Sequence, residues 1–308
     1  MIKKIFIIFF ILLHNVAHAD NVLTVGTYDS FAAEWGPGPD IEDGFEKICN
    51  CDLQFIATSQ AGSLSSDIFI NGKDVILGVE HNDFDISHNE DLWAYYDYGY
   101  FAFIYDNSKL DNPPKSMIDL INQDDLKIVV QDPRTSPVGL GLLRWMKSLF
   151  GDEYQLNIKK LDKKIVTYTP GWTEAYGMFL EGNADIVLSY STSPYYHQEY
   201  ENENKYRALI FDEGHLTTKE VVYVRNDSSN KELGQQFINF LLKKQIQEII
   251  AQKNIMYPIN KEAVPERMKS LVEPVGVNYV GNLSAGELVD EWLETVSYTH
   301  LRAHETDY

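Results

Sequence analysis

Short apolar runs alternate with apolar residues at helical spacing along most of the chain, and this alternation predicts an α/β protein. VLTVGTYDSF, residues 22–31, reads as a first strand ending in a loop that carries Tyr28, Asp29 and Ser30. In the following AEWGPGPD, the residues Gly36, Pro37, Gly38 and Pro39 exclude regular structure and hold Trp35 in a stiff turn, after which a helix is predicted over 40–48. Strand patterns recur at 52–58 and 74–80, the second nearly all apolar and so buried on both faces. The loop between them, 59–63, contains Gln60 and Ala61 and runs toward a short helix. DYGYFAFIYD, 97–106, is an aromatic alternating run long enough to cross between two domains, and a strand-like run at 213–225 suits a crossing back. Between these two crossings, strands at 126–130, 163–169 and 184–190 alternate with helices at 116–123, 137–150 and 171–182. Beyond them an apolar period over 231–253 predicts one long helix, and 265–271 begins a last helical stretch.

The stretch QDPRTSPVGLGLLRW, 131–145, delivers a loop onto a helix start. Ser136 stands where an N-cap belongs and Pro137 at the first helical position. Gly139 and Gly141 let another backbone or a ligand approach closely. Such a turn offers unpaired N–H groups and a partial positive charge, a cradle for a phosphate or hydroxyl, although an ordinary capped helix reads the same way. Trp172 opens a second helix directly after Pro170-Gly171. Following the strand that ends at Tyr190, the loop STSPYYH repeats the device with Ser191, Thr192, Ser193, Pro194 and Tyr196. Three loops of one domain thus each present a helix N-terminus.

Composition narrows the class. Lys3 and Lys4, an apolar run over 5–13 and Ala17-His18-Ala19 form an export signal over 1–19, so the mature chain is expected to start at Asp20. The apolar run is too short to span a bilayer, and no lipid-anchor cysteine follows it. A formal charge of -20, two units more negative without the leader lysines, argues against nucleic acid and fits either a cationic solute or plain solubility. The two cysteines, Cys49 and Cys51, can close a small local disulfide but cannot make a structural zinc site. His81 and His88 flank an acidic stretch and read as loop histidines rather than metal ligands. The segment 297–308 has no apolar period and is set aside as a non-native tail.

The runs TYDSFAAEWGPGP, CNCDL, DYGYFAF, QDPRTSPVGLGLL, GWTEAYG, LSYSTSPYYH, EGH and MYP, in that order, resemble the periplasmic thiamine-binding proteins of bacterial ABC importers. The resemblance spans 22–265. It implies a two-lobed class II periplasmic binding protein fold with a ligand cleft between the lobes: 20–102 and 222–296 as the first lobe, 103–221 as the second. Crossings would lie near 101–105 and 221–224. It further implies a monomeric periplasmic receptor that binds thiamine, thiamine monophosphate or thiamine diphosphate, holds no cofactor or metal, and serves an inner-membrane ABC permease without a membrane anchor of its own. Trp35 and Trp172 would face the ligand's rings, and Tyr190 and Tyr196 would pack around them. Ser136 and Pro137 would hold the hydroxyethyl or phosphate end, while Ser191, Thr192, Ser193 and Pro194 would line the same wall; Tyr28, Gln60 and Ala61 complete the expected set. Three features depart from the family pattern: Gln60 stands in place of an acid, Ile255 in place of a tryptophan, and the segment 64–93 is short.

Two other readings share the fold. A ferric-ion receptor is suggested by Tyr195-Tyr196 beside His197, because paired phenolates are hard ligands for Fe(III). A thiamine-degrading enzyme would need a cleft cysteine, Cys49 or Cys51, as its nucleophile, but both precede a strand, at the sheet end away from the ligand loops. The expectation is therefore a receptor and not an enzyme.

Overall fold

A computed structural model describes residues 21–296; the expected export signal and the terminal tail lie outside the described residues. The first lobe begins with β1 (Val22–Tyr28), the short α1 (Asp29–Ala32), α2 (Gly38–Cys49) and β2 (Asp52–Thr58). It continues through α3 (Asp67–Ile70) and β3 (Val75–Glu80) to the 14-residue β4 (Trp93–Asp106). The second lobe holds α4 (Met117–Asn122), β5 (Ile128–Gln131), α5 (Pro137–Phe150), α6 (Tyr154–Asp162), β6 (Ile165–Thr169) and α7 (Trp172–Leu180). It also holds β7 (Ile186–Tyr190), α8 (Pro194–Tyr200) and β8 (Tyr206–Ala208), before β9 (His215–Val224) returns.

The strands run in the order β2-β1-β3-β9-β4-β7-β5-β6. β1 is parallel to β2 and β3, and β5 is parallel to β6 and β7, whereas β9 and β4 are antiparallel to their neighbours. β4 joins the lobes. Its residues Trp93 to Tyr100 pair with β9, and Phe101 to Tyr105 pair with β7, so the strand changes sheets between Tyr100 and Phe101. Each lobe has its own core, one around Phe31, Phe45, Tyr96 and Phe237, the other around Phe101, Trp145, Tyr154 and Phe211.

Several expectations are corrected. The first strand stops at Tyr28, and Phe31 lies in α1, buried in the first core. Gly38 and Pro39 do not lie outside regular structure: they form the first turn of α2, where proline needs no N–H partner. The long helix expected over 231–253 is two, α9 (Lys231–Leu241) and α10 (Lys244–Lys253), with Lys243 extended at ψ 140°. The break directs Gln247 inward, where its Nε2 donates to the carbonyls of Tyr96 (2.9 Å) and Leu241 (3.0 Å). β9 crosses earlier than 221–224, since Leu216 already packs in the second core and Val221 in the first. The chain end, assigned with 222–296 to the first lobe, returns to the second. After α11 (Glu266–Lys269), α12 (Ala285–Thr295) carries a Ser284/Glu287 capping box and buries Leu288 and Trp292 beside Tyr168 and Trp145.

Cys49 and Cys51 are joined by a disulfide directly before β2. Parallel strands place both at the N-terminal edge of the sheet, whereas ligands gather at carboxyl ends.

Candidate functional site: an aromatic cavity between the lobes

Every parallel strand except β3 leads directly into a loop that faces the gap between the lobes. β1 delivers Tyr28, Asp29 and Trp35, and β2 delivers Ser59 and Ala61. β5 delivers Ser136 and Pro137, β6 delivers Gly171 and Trp172, and β7 delivers Tyr190, Ser193 and Tyr196. Together with the end of α10 they enclose a cavity of about 720 Å³, within the ~300–1,000 Å³ of small-molecule sites. The lobes touch around it: the Gly62 amide donates to the Thr135 carbonyl at 3.0 Å, and the Tyr200 hydroxyl to the Gln252 carbonyl at 3.1 Å. The Arg144 guanidinium, on α5, reaches Glu80 (3.0 Å) and Asp83 (3.1 Å) of the first lobe.

The second-lobe wall is rigid. Trp172 stacks on Tyr176 with centroids 4.8 Å apart, and Tyr176 stacks on His197 at 5.8 Å. The Trp172 Nε1–H donates to Ser189 Oγ at 2.7 Å, and the Tyr176 hydroxyl lies 3.0 Å from His197 Nε2. His197 Nδ1 is 2.6 Å from Glu201. Indole, phenol and imidazole are thus locked from behind, leaving one indole face for the cavity. Opposite, Trp35 is 57% exposed on its loop and is free to lie against an entering ring.

Ser136 caps α5, its Oγ accepting from the Val138 amide at 3.3 Å. The glycines behind it serve packing. A Cβ at Gly139 would lie 2.3 Å from the Gln131 carbonyl oxygen, and one at Gly141 would lie 2.4 Å from the Phe101 ring. It is therefore backbone and core, not ligand, that approach these two glycines.

The cavity floor is acidic. Glu220 lines it, with its Oε2 2.8 Å from the Tyr28 hydroxyl and hydrogen-bonded to the Tyr96 hydroxyl. Asn254 bridges, with Oδ1 3.0 Å from the Tyr28 hydroxyl and Nδ2 donating to Asp97 at 2.8 Å. Burial, followed by the nearby carboxylates, pushes the Tyr28 and Tyr96 phenols well above their ordinary range, so both stay protonated. Lys253 is the one lysine or arginine among the lining residues, and its Nζ is 2.7 Å from Asp40.

Of the expected ligand residues, the structure brings Tyr28, Trp35, Ala61, Ser136, Pro137, Trp172, Tyr190, Ser193 and Tyr196 to the cavity. Four are not in its lining. Gln60 is exposed, and its carbonyl accepts from Ser63. Ser191, Thr192 and Pro194 are buried behind the wall, where the Ser191 and Thr192 hydroxyls have no partner among the described residues. Ile255, where a tryptophan was expected, does line the cavity, at φ 57°. Sequence reasoning missed Glu220, Asn254, Tyr176 and Tyr200. The strand alternation around Glu220 carried no sign of which face meets the cleft, and Asn254 gave none beyond ending an apolar period.

The iron-type triad does not assemble. Tyr196 faces the cavity, Tyr195 is buried against Tyr257 and Met268, and His197 sits behind Tyr176. Among the described residues no group of three or more His, Cys, Asp or Glu is placed to hold a metal ion.

Two α/β lobes joined by crossing strands, with strand-end loops of both closing on one aromatic cavity, define a hinge-closing solute receptor. The chain belongs to the bacterial extracellular solute-binding proteins, whose family model matches residues 74–280. These are transport receptors and not enzymes. The chain is 42% identical over 282 residues to the thiamine-binding periplasmic protein of Escherichia coli K12, with 83% of this chain and 86% of that protein covered. The Haemophilus influenzae protein of the same name is 35% identical over 308 residues, with 91% and 92% covered. A solved periplasmic thiamin binding protein superposes with a TM-score of 0.81 at 39% identity, covering 90% of this chain and 96% of that one. These matches agree with the resemblance read from the sequence runs.

Proposed function

We propose that the protein is a monomeric periplasmic receptor that captures thiamine and delivers it to an inner-membrane ABC permease, after export by the leader at 1–19. The observation that carries the reading is the pairing of locked aromatic faces with an acidic floor in one cavity between the lobes. A thiazolium ring is flat and permanently cationic, and each desolvated contact between such a cation and an indole or phenol face contributes about 0.5–2 kcal/mol. Glu220 supplies negative charge beneath it. The names of the relatives, all thiamine-binding periplasmic proteins, support the same ligand.

In this reading Trp172 and Trp35 face the rings from opposite lobes, so ligand contact favours the closed form. Tyr190 and Tyr196 fill the sides, and the Ser136 turn receives the hydroxyethyl arm. Thiamine is favoured over its mono- and diphosphate, because the one lysine of the lining is already paired with Asp40 and the first turn of α5 is capped by Ser136. Equilibrium dialysis of the purified protein against equal thiamine, thiamine monophosphate and thiamine diphosphate tests this. Retention of thiamine at one per chain in preference to the phosphates is expected; retention of none of the three refutes the reading.

A further inference from the structure

Three acids stand side by side across the middle of the sheet. Glu220 on β9 is the register partner of Glu80 on β3 and of Asp97 on β4. Glu80 is answered by the Arg144 guanidinium at 3.0 Å, His81 Nδ1 at 2.6 Å and the Thr218 hydroxyl at 3.2 Å. The other two meet only neutral groups. Glu220 receives the Tyr28 and Tyr96 hydroxyls and a long contact from Asn254 at 3.4 Å. Asp97 is fully buried; its Oδ2 receives Asn254, and no donor reaches its Oδ1 among the described residues.

The charged and titratable groups packed around the pair are Tyr28 from β1, Glu80 from β3, Tyr96 from β4 and Tyr190 from β7. None is a cation. Arg144 is engaged by Glu80 and Asp83, Lys219 lies 5.0 Å over the Tyr95 ring, and Lys253 is held by Asp40. Two ionised carboxylates facing one another at this depth are costly, and an unanswered Oδ1 beside a second carboxyl is the arrangement in which a shared proton supplies the missing donor. Glu220 differs from Asp97 in one respect: it opens onto the cavity.

We propose that Glu220, with Asp97 behind it, is the charge-selecting group of this cavity: Glu220 holds a proton until a cationic ligand enters and then releases it to solvent to become the counter-ion, while Asp97 keeps the proton shared across the pair. Only an O–H bond breaks, and the ligand's charge replaces the proton's. The inference rests on the thiamine reading above and adds the residue that distinguishes cation from neutral analogue. Burial lifts both carboxyls, with repulsion from Glu80 adding at Glu220 and repulsion from Glu220 adding at Asp97: Glu220 rises to about 7 and Asp97 well above its usual range, which puts the exchange near neutral pH.

The test is calorimetry of thiamine binding between pH 5.5 and 8 in buffers of different ionisation enthalpy, with wild type, Glu220→Gln and Asp97→Asn, and with uncharged thiochrome as the neutral probe. Wild type is expected to release close to one proton per thiamine below pH 6.5. Its affinity should fall up to tenfold per pH unit on that side and level off above pH 7.5. Glu220→Gln is expected to release less than a quarter of a proton and to lose at least tenfold of its preference for thiamine over thiochrome. Wild-type binding of thiamine with no proton release and a flat affinity overturns this inference while leaving the receptor reading intact; absence of thiamine binding at every pH overturns both. Should either variant fail to fold, the wild-type buffer dependence alone decides.

Discussion

Replacing Trp172 by alanine removes the one indole face that is fixed from behind and open in front. Its back face contacts Tyr176 at 4.8 Å and its Nε1–H donates to Ser189. Ser189 keeps a partner in the variant, since its Oγ lies 2.7 Å from Ser193 Oγ, so no buried hydroxyl is orphaned. The folding cost is therefore limited to an aromatic pair and a hydrogen bond, about 1–3 kcal/mol together. The binding cost is larger relative to its scale. A lost cation–π face is worth roughly 1–2 kcal/mol when desolvated, and the apolar contact adds about 1. Together they weaken thiamine binding by roughly 30- to 150-fold. Trp172→Phe keeps a ring face and loses the Ser189 bond, so less than tenfold is expected. Calorimetric titration, with circular dichroism to verify folding, measures both. A folded Trp172→Ala protein that binds thiamine within threefold of wild type refutes the placement of the ligand on this wall.

Arg144→Met strands Glu80 and Asp83 in a buried setting, and should lower unfolding free energy by about 3–5 kcal/mol in urea titrations; less than 1 kcal/mol would mean the bridge carries no net stability. Gly139→Ala drives a Cβ into the Gln131 carbonyl and should cost at least about 2 kcal/mol. By contrast Gly177→Ala, with nothing within 4 Å, should be neutral or stabilising by up to ~1 kcal/mol; equal midpoints for the two would refute the packing role. His215 is buried neutral, Nδ1 facing the Phe101 carbonyl at 2.8 Å and Nε2 accepting from the Phe211 amide at 2.8 Å, and burial depresses it to about 4. The unfolded chain binds the proton first, so this group's contribution is complete above about pH 6.5 and is lost as pH falls toward 4, up to roughly 3 kcal/mol. The difference between wild type and His215→Gln in urea midpoints at pH 7 and 4.5 should show it; a pH-independent difference would contradict the assignment.

Much of this architecture was legible because local chemistry and tertiary position agree. The run at 52–58 is a strand at the same bounds, and Ser136-Pro137 starts α5 as its capping chemistry requires. Trp35 and Trp172 were readable as cavity groups because loop aromatics after strand ends have few other uses. What escaped notice was decided by contacts distant in sequence. No glycine or proline marks the break between α9 and α10; it is fixed by Gln247 reaching the Tyr96 carbonyl. The return of α12 to the second lobe depends on Trp292 finding Tyr168, 5.1 Å away. Ser191 and Thr192 share the loop of Ser193, yet the tight turn that bonds the Ser191 amide to Tyr100 at 2.9 Å turns them inward. Glu220 looked like any polar strand residue until β3 and β4 set Glu80 and Asp97 beside it.

The most direct test of the receptor account is a calorimetric titration of the purified wild-type protein with thiamine at pH 7.5. The account predicts saturable binding at one thiamine per chain, with quenching of tryptophan fluorescence over the same concentration range. A folded protein that gives no heat and no quenching up to millimolar thiamine would contradict it.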